Sequence, residues 1–405
     1  MRVLLFSQIF PSPSEPTRGP YNLNIFRALA DHCEVRVVAP RPWWSRVRAP
    51  RALLSVPRGR VGGLEVTYPT YWSVPRAVRL HGDGMYQSLR AHVAEIRRDF
   101  PFDAILAAWA YPDAAAAARL ADEFGCPLVT KILGSDINEL PNLPGLRAPV
   151  QAALRRSQRV VTVSKALRDR VIDLGVPGDR VHVQHNGVNG EQFTVRSKEG
   201  ARERLGLPQD RELVCSVGRL GHEKGIDVLI AAMAKLQASA HWDAQLLLVG
   251  FGEMEDDLRA SAARLGVADQ VRFCGMQKHD TIPDWIAACD VLCLPSRREG
   301  CPNVVLEALA SGRPVVASRV GGVPELLTPA TGLMVPAEDP AALAAGLAEA
   351  LSRTWDPEAL RRSVEFLSWA DVGRGYYEVV RAAVEEWGAG RPVACASPSL
   401  SGPLL

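Results

Sequence analysis

Arg298-Glu299-Gly300-Cys301-Pro302-Asn303-Val304-Val305-Leu306-Glu307-Ala308-Leu309-Ala310-Ser311-Gly312-Arg313-Pro314-Val315-Val316-Ala317 reads as a short loop, a helix and the start of a buried strand. Pro302 or Asn303 opens the helix and Gly312 closes it. A first helical turn needs no N–H from proline, and a C-terminal cap tolerates glycine at positive φ. Glu299 and Glu307 therefore bracket a helix N-terminus whose uncommitted N–H groups and positive dipole end suit a phosphate or a sugar hydroxyl. With the apolar run Val291 to Pro295 before it, the stretch is strand, loop, helix, strand, the unit of a parallel sheet.

The same alternation extends upstream. Strand Leu213 to Val217 leads into the loop Gly218-Arg219-Leu220-Gly221-His222-Glu223-Lys224-Gly225 and helix Ile226 to Ser239. Then come strand Gln245 to Val249, turn Gly250-Phe251-Gly252, helix Glu253 to Leu265, strand Val271 to Cys274 and helix Ile282 to Ala288. Strand Gly332 to Val335 follows Gly321-Gly322. Parallel strands put their βα loops at one sheet edge, so Gly218, Arg219, Lys224, Gly250 and the Glu299 to Glu307 segment should converge there. Two cations, a glycine-rich turn and a helix end accommodate a diphosphate, with the two acids as acceptors for hydroxyls. Taken singly, Arg219 or Lys224 is a solvated loop charge and Glu307 an exposed helix residue. The coincidence in strand-loop-helix context carries the reading.

The first half repeats the pattern, with strands Arg2 to Ile9, Glu34 to Ala39, Ala104 to Trp109, Leu128 to Leu133, Val160 to Val163 and Val181 to Gln184. Helices are expected over Tyr21 to Asp31, Gly84 to Phe100, Asp113 to Phe124, Arg147 to Arg156 and Lys165 to Leu174. The Thr17-Arg18-Gly19-Pro20 turn and Gly134-Ser135-Asp136-Ile137-Asn138 fall at carboxyl ends of strands, where open α/β sheets keep their ligands. The second reads equally as a helix N-cap through Ser135 or Asp136. The expected fold class is α/β, two doubly wound parallel sheets over residues 1–190 and 211–368. Residues 191–210, polar and without period, read as a linker, and 391–405, rich in Ser, Pro and Gly, as a disordered tail.

At 405 residues, with 47% apolar and 23% charged side chains, the composition is that of a soluble globular protein. Its net charge of +2 hides an asymmetry, +9 over residues 1–190 and −7 over 191–405. No run approaches the ~18 apolar residues of a membrane span, and Met1 to Ser7 is too short for a signal peptide. Cysteines 33, 126, 215, 274, 289, 293, 301 and 395 form no CxxC pair and read as buried, reduced thiols of a cytoplasmic protein. Between Arg41 and Arg60 stand six arginines, no acid, and the pair Trp43-Trp44. Residues 41–60 are either a peripheral contact with an anionic membrane face or a solvated loop with its indoles packed back.

Ser216-Val217-Gly218-Arg219-Leu220 with Lys224-Gly225, the Glu-x7-Glu from Glu299 to Glu307, Gly321-Gly322-Val323-Pro324-Glu325 and Asn186-Gly187-Val188 together resemble the retaining glycosyltransferases of family 4, of GT-B fold. The exopolysaccharide and teichuronic-acid enzymes are similar. The resemblance implies an acceptor-binding first domain, a donor-binding second domain, and helices over 369–390 that return to the first. It implies a nucleotide-diphosphate sugar, UDP- or GDP-linked, as co-substrate, with no other cofactor, no metal and no nucleic acid. Arg219 and Lys224 would hold the diphosphate, Glu299 the transferred sugar, and Glu307 the ribose. Gly218, Gly250, Gly300, Cys301, Asn303 and Val304 would supply backbone around the donor, and Gly19 would face it across the cleft. The family's His before Gly-Ser-Asp is Leu133 here, which moves the acceptor side to Asp136, with Arg18 and Asn138. Asn189 stands where Asp often follows Asn-Gly-Val. The basic first half favours an anionic or lipid-linked glycan acceptor. A nucleotide-sugar epimerase and a non-catalytic nucleotide-sugar sensor are the alternatives that share the architecture.

Overall fold

The computed structural model describes residues 1–12, 14–16, 18–46, 56–74, 76–238 and 243–389. Short runs of Val, Leu, Ile and Ala without polar alternation form strands buried on both faces, which demands helices on both sides of a parallel sheet. The first domain contributes β1 (Arg2–Phe6), β2 (Glu34–Val38), β3 (Arg41–Pro42), β4 (Arg58–Val61), β5 (Leu64–Thr67), β6 (Thr70–Tyr71), β7 (Ala104–Ala108), β8 (Leu128–Ile132), β9 (Arg159–Thr162) and β10 (Val181–Val183). Eight of these form one sheet in the order β10-β9-β8-β7-β1-β2-β5-β4, parallel except for β4 against β5. β3 and β6 pair separately.

The second domain contributes β11 (Leu213–Val217), β12 (Gln245–Val249), β13 (Val271–Gly275), β14 (Val291–Leu294), β15 (Val315–Ser318) and β16 (Gly332–Val335). Their order, β13-β12-β11-β14-β15-β16, is that of a dinucleotide-binding sheet. The strand order reverses between β11 and β14 in this sheet and between β1 and β7 in the first. Crevices open outside the carboxyl ends at such points. A continuous apolar cluster runs from Ile132 and Leu167 through Val188 and Phe193 to Leu292 and Val305, so the two domains share a core at the hinge.

Several expectations shift. The helix expected from Gly84 begins at His81 and runs His81–Asp99. The alanine-rich helix starts at Ala115, because residues 110–114 form a wide turn. Residues 191–210 are not a bare linker: Lys198–Leu205 is a helix capped by Ser197, whose Oγ accepts from Gly200 N at 3.0 Å. Its polarity hides a buried anchor, Arg202, which donates to Asp290 Oδ2 at 2.7 Å and to the Ala288 carbonyl at 2.9 Å. Among the described residues of 41–60, Arg41–Pro42 and most of Arg58–Val61 are strand rather than loop, and β5 and β6 follow; β4 and β5 join through Gly62 and Gly63, at φ 57° and 86°. Part of the arginine-rich stretch, 47–55, and the tail 391–405 lie outside the described residues.

Beyond the second domain a single helix, Trp369–Ala389, lies against Pro20–Ala30 of the first. Gly373 permits this, since a Cβ there would stand 2.4 Å from the Ala28 carbonyl oxygen. Trp387 Nε1 donates to the Gly125 carbonyl at 3.2 Å.

Candidate active site

The reversal between β11 and β14 brings two loops together. Glycine is required where they touch, since a Cβ on Gly225 would stand 2.1 Å from the Pro295 carbonyl oxygen; on the other side of β11, one on Gly250, just after β12, would stand 1.8 Å from that of Gly218. Lys224 consequently reaches Glu299, Nζ to Oε1 at 2.8 Å, and Ser296 Oγ donates to the same oxygen at 2.6 Å. The Glu299 side chain is 8% exposed and that of Lys224 28%, so the pair sits where its field is little screened. Arg219 lines a small cleft with Gly218 and Lys224, its guanidinium exposed and paired with Glu253 at 3.0 Å.

The helix of the opening stretch is Asn303–Ala310, with Pro302 at its N-cap and no side chain capping it. Ser311 and left-handed Gly312 close it. Asn303 Oδ1 accepts from Asn186 Nδ2 at 2.8 Å, and Asn186 also reaches the Cys301 carbonyl, so the hinge strand end holds the loop by its amide. Cys301 is buried, and burial pushes its thiol up to about 12. Val304 is half-buried. Gly321-Gly322 lies on Glu299-Gly300: Gly322 N donates to the Gly300 carbonyl at 3.1 Å.

One turn into the helix, Glu307 faces a cavity of about 790 Å³ between the domains, lined among others by Tyr21, Asn24, Gly187, Asn303 and Trp369. Removal from water pushes its carboxyl up to about 7. Tyr21 lies within the influence of both acids. Desolvation of the hydroxyl end of a residue that is 40% exposed overall, then the charges of Glu307 and Glu299, raise it.

On the first domain, Gly19 caps Pro20–Ala30 in the left-handed conformation, φ 62°, and a Cβ there would stand 2.5 Å from the Ile9 carbonyl oxygen. Arg18 pairs with Glu15 at 3.2 Å. Asp136 is fully buried, and its carboxylate accepts from the N–H groups of Gly134 (2.7 Å), Leu133 (3.1 Å) and Ala110 (3.1 Å). Burial outweighs those bonds and pushes it up to about 6. Its geometry is that of a group holding two loops in place. Asn138 ends the short helix Ser135–Asn138, and its carbonyl accepts from Asn142.

Sequence reasoning missed two buried groups here. Lys131 Nζ donates to Asn22 Oδ1 at 2.8 Å, and burial lowers the ammonium to about 7 against the pull of Asp136. Asp113 accepts from Gln8 N at 2.9 Å through Oδ2, while Oδ1 is buried without a partner; desolvation raises this carboxyl strongly. Asp113 sits at the β1/β7 reversal, which is the signal that would have found it once strand order was known.

The domains touch at Gly134 and Gly300. A Cβ on Gly300 would stand 2.6 Å from the Leu133 carbonyl oxygen, so only glycine allows this approach. Beside it, Glu325 of the second domain accepts from Lys165 N at 2.8 Å, capping helix Lys165–Asp173 of the first, and meets His185 Nε2 at 3.0 Å. Among the described residues there is no cluster of three or more His, Cys, Asp or Glu placed to hold a metal, and no helix long and apolar enough to cross a membrane.

Residues 19–192 match the family described as Glycosyltransferase Family 4, and residues 197–365 match Glycosyl transferases group 1. The putative teichuronic acid biosynthesis glycosyltransferase TuaC of Bacillus subtilis is 30% identical over 378 residues, 88% of this chain and 91% of that one. The chain belongs to glycosyltransferase family 4. A D-inositol 3-phosphate glycosyltransferase of Catenulispora acidiphila is 33% identical, over 68% of this glycosyltransferase and 71% of that one. An uncharacterized glycosyltransferase of Methanocaldococcus jannaschii is 34% identical over 57% of this chain, a match spanning 62% of the archaeal protein. The fold is GT-B: Anabaena HepE, solved in complex with UDP, superposes with a TM-score of 0.69 over 96% of this glycosyltransferase and 99% of HepE at 20% identity. Sucrose-phosphate synthase of Thermosynechococcus elongatus superposes with a TM-score of 0.71 over 96% and 97% of the two chains at 22% identity.

Proposed function

We propose that this glycosyltransferase moves a sugar from a nucleotide-diphosphate donor to a hydroxyl acceptor with retention of anomeric configuration, in cell-surface polysaccharide or glycolipid synthesis. The observation that carries the reading is the Lys224–Glu299 pair beside a helix N-terminus uncapped by any side chain, with Glu307 one turn further on and turned into the interdomain cavity. Departure of a nucleoside diphosphate places negative charge where Lys224 and the helix end stabilise it, and prearranged charges of this kind contribute most to such catalysis. Glu299 accepts from hydroxyls of the transferred sugar, and Glu307 from those of the ribose. Arg219 turns from Glu253 to the diphosphate. Exposed on a surface ion pair, it exchanges partners at little cost.

The acceptor hydroxyl attacks from the leaving-group face and passes its proton to the departing phosphate, so no protein base is required. Asp136 positions the Leu133-Gly134 turn and Ala110 on the acceptor side. Arg18 and Asn138 lie on that side as well. The names of the relatives, one in teichuronic acid synthesis and one acting at D-inositol 3-phosphate, support an acceptor that is anionic or part of a surface glycan. A panel of UDP-, GDP- and ADP-sugars, read by nucleotide-dependent thermal shift, tests donor use. One nucleotide series should raise the melting temperature, and no shift with any of them would refute the reading.

A further inference from the structure

The first domain carries an apolar surface that glycosyl transfer does not use. It is built from two segments, residues 43–44 after β3 and 72–80 after β6. Trp72 stacks on Trp43 with ring centroids 5.5 Å apart and 18° between planes, and Trp43 Nε1 donates to the Ser73 carbonyl at 2.9 Å. Trp44 packs edge-on against Trp43 and against Tyr71. These contacts fix the rings without covering them. Trp44 is 43% exposed, Trp72 56% and Val74 61%, and Val78 and Leu80 beside them are exposed too. Single surface apolar residues are ordinary, but five on two segments locked together form a patch that marks an interaction site.

Along the second segment the charge has one sign. Residues 71–82 include Arg76, Arg79 and His81 and no carboxylate. The next acid, Asp83, is paired with Arg119. Among the described residues neither Arg76 nor Arg79 has an ion-pair partner. Indoles at headgroup depth, aliphatic side chains beneath them and unpaired arginines at the edge are what an anionic bilayer surface accommodates. A soluble glycan would stack on the rings but gain little from Val74, Val78 and Leu80.

The patch adjoins the cleft. Tyr71 hydroxyl donates to Gln8 Oε1 at 3.2 Å, and Tyr111 hydroxyl donates to the Val78 carbonyl at 2.8 Å. Gln8 and Tyr111 belong to the loops after β1 and β7, where the first sheet's crevice opens. We propose that Trp44, Trp72, Val74, Val78 and Leu80, with Arg76 and Arg79, seat the first domain on an anionic membrane surface. The seated domain holds its crevice at the bilayer, where a lipid-linked acceptor is presented. The docking stands on this surface alone; the acceptor's delivery rests on the transferase reading.

Flotation with phosphatidylcholine vesicles, with and without phosphatidylglycerol, tests it. The wild type should float with the anionic vesicles only, and less at high salt. Arg76→Gln and Arg79→Gln should each lower partition about five-fold, and Val74→Asp about ten-fold or more. All three positions are exposed, and nucleotide-dependent thermal shift should be unchanged in each variant, which separates failure of docking from failure of the transferase reading. A wild type that ignores anionic vesicles, or Val74→Asp floating like wild type, overturns the proposal. So does quenching of Trp44 and Trp72 fluorescence by a soluble acidic oligosaccharide where vesicles leave it unchanged, which would make the surface a glycan subsite.

Discussion

Glu299 and Glu307 lie on one loop-helix unit yet meet different surroundings. Glu299 has an ammonium and a hydroxyl on one oxygen, whereas Glu307 has desolvation as the cause of its shift. A carboxylate that accepts from ribose hydroxyls binds best when ionised, and Glu307 is held up to about 7. Nucleotide affinity should therefore rise as pH climbs towards that value, by up to about ten-fold per pH unit if binding requires loss of the proton. Glu307→Gln should remove this dependence in calorimetric titrations; an unchanged pH profile in that variant would contradict the assignment. The stability sign is separate. A carboxyl raised above its ordinary value lends proton-linked stability that is lost as pH rises through about 7, and Glu307→Gln should flatten that loss. Asp136 acts on structure: Asp136→Ala strips acceptors from three buried-loop N–H groups and should cost at least about 3 kcal/mol in urea unfolding. Stability within error of wild type would refute its positioning role. Glu299, Glu307 and Lys224 were legible because each sits at a fixed offset from a strand end. Asp113 and Lys131 were not, since a residue in an alanine run or a strand shows its burial only once the sheets are assembled.

Among the elements, the loops at the carboxyl ends carry the design. Gly134 and Gly300 let the domains meet, and Glu325 locks the meeting by capping Lys165–Asp173, where a negative charge complements the helix dipole. Gly300→Ala drives a methyl into the Leu133 carbonyl and should part the domains. Small-angle scattering should show a larger radius of gyration with melting behaviour little changed. An identical scattering profile would mean that the contact does not set the cleft. Strand and helix order was readable in the second half because apolar runs and glycine turns alternate there without interruption. The region from 41 to 71 was harder. Its strands are two to four residues long and arginine-rich, although Gly62-Gly63 before the alternation of Leu64-Glu65-Val66 is a hairpin signal. Helix Lys198–Leu205 was hidden for another reason: beside Ala201 its buried face includes an arginine, Arg202, which no apolar period reports.

At the scale of the molecule, two domains meet whose chain halves, 1–190 and 191–405, carry net charges of +9 and −7, and the chain crosses between them twice, the second time through Trp369–Ala389. That helix buries Val372, Tyr376, Val380 and Ala383 against the first domain. Truncation before Trp369 should therefore expose the first domain's core and lower its melting temperature or its solubility; a truncated protein as stable as the whole would show the helix to be dispensable. The central claim is that Lys224 and Glu299 carry glycosyl transfer from a nucleotide donor. Release of nucleoside diphosphate from the donor that thermal shift selects, compared between wild type, Lys224→Ala and Glu299→Gln, tests it most directly. The wild type should release it steadily, and faster with acceptor, while each folded variant should fall by about 10²–10³-fold. Release at wild-type rate from either variant, or none from the wild type with any donor, would contradict it.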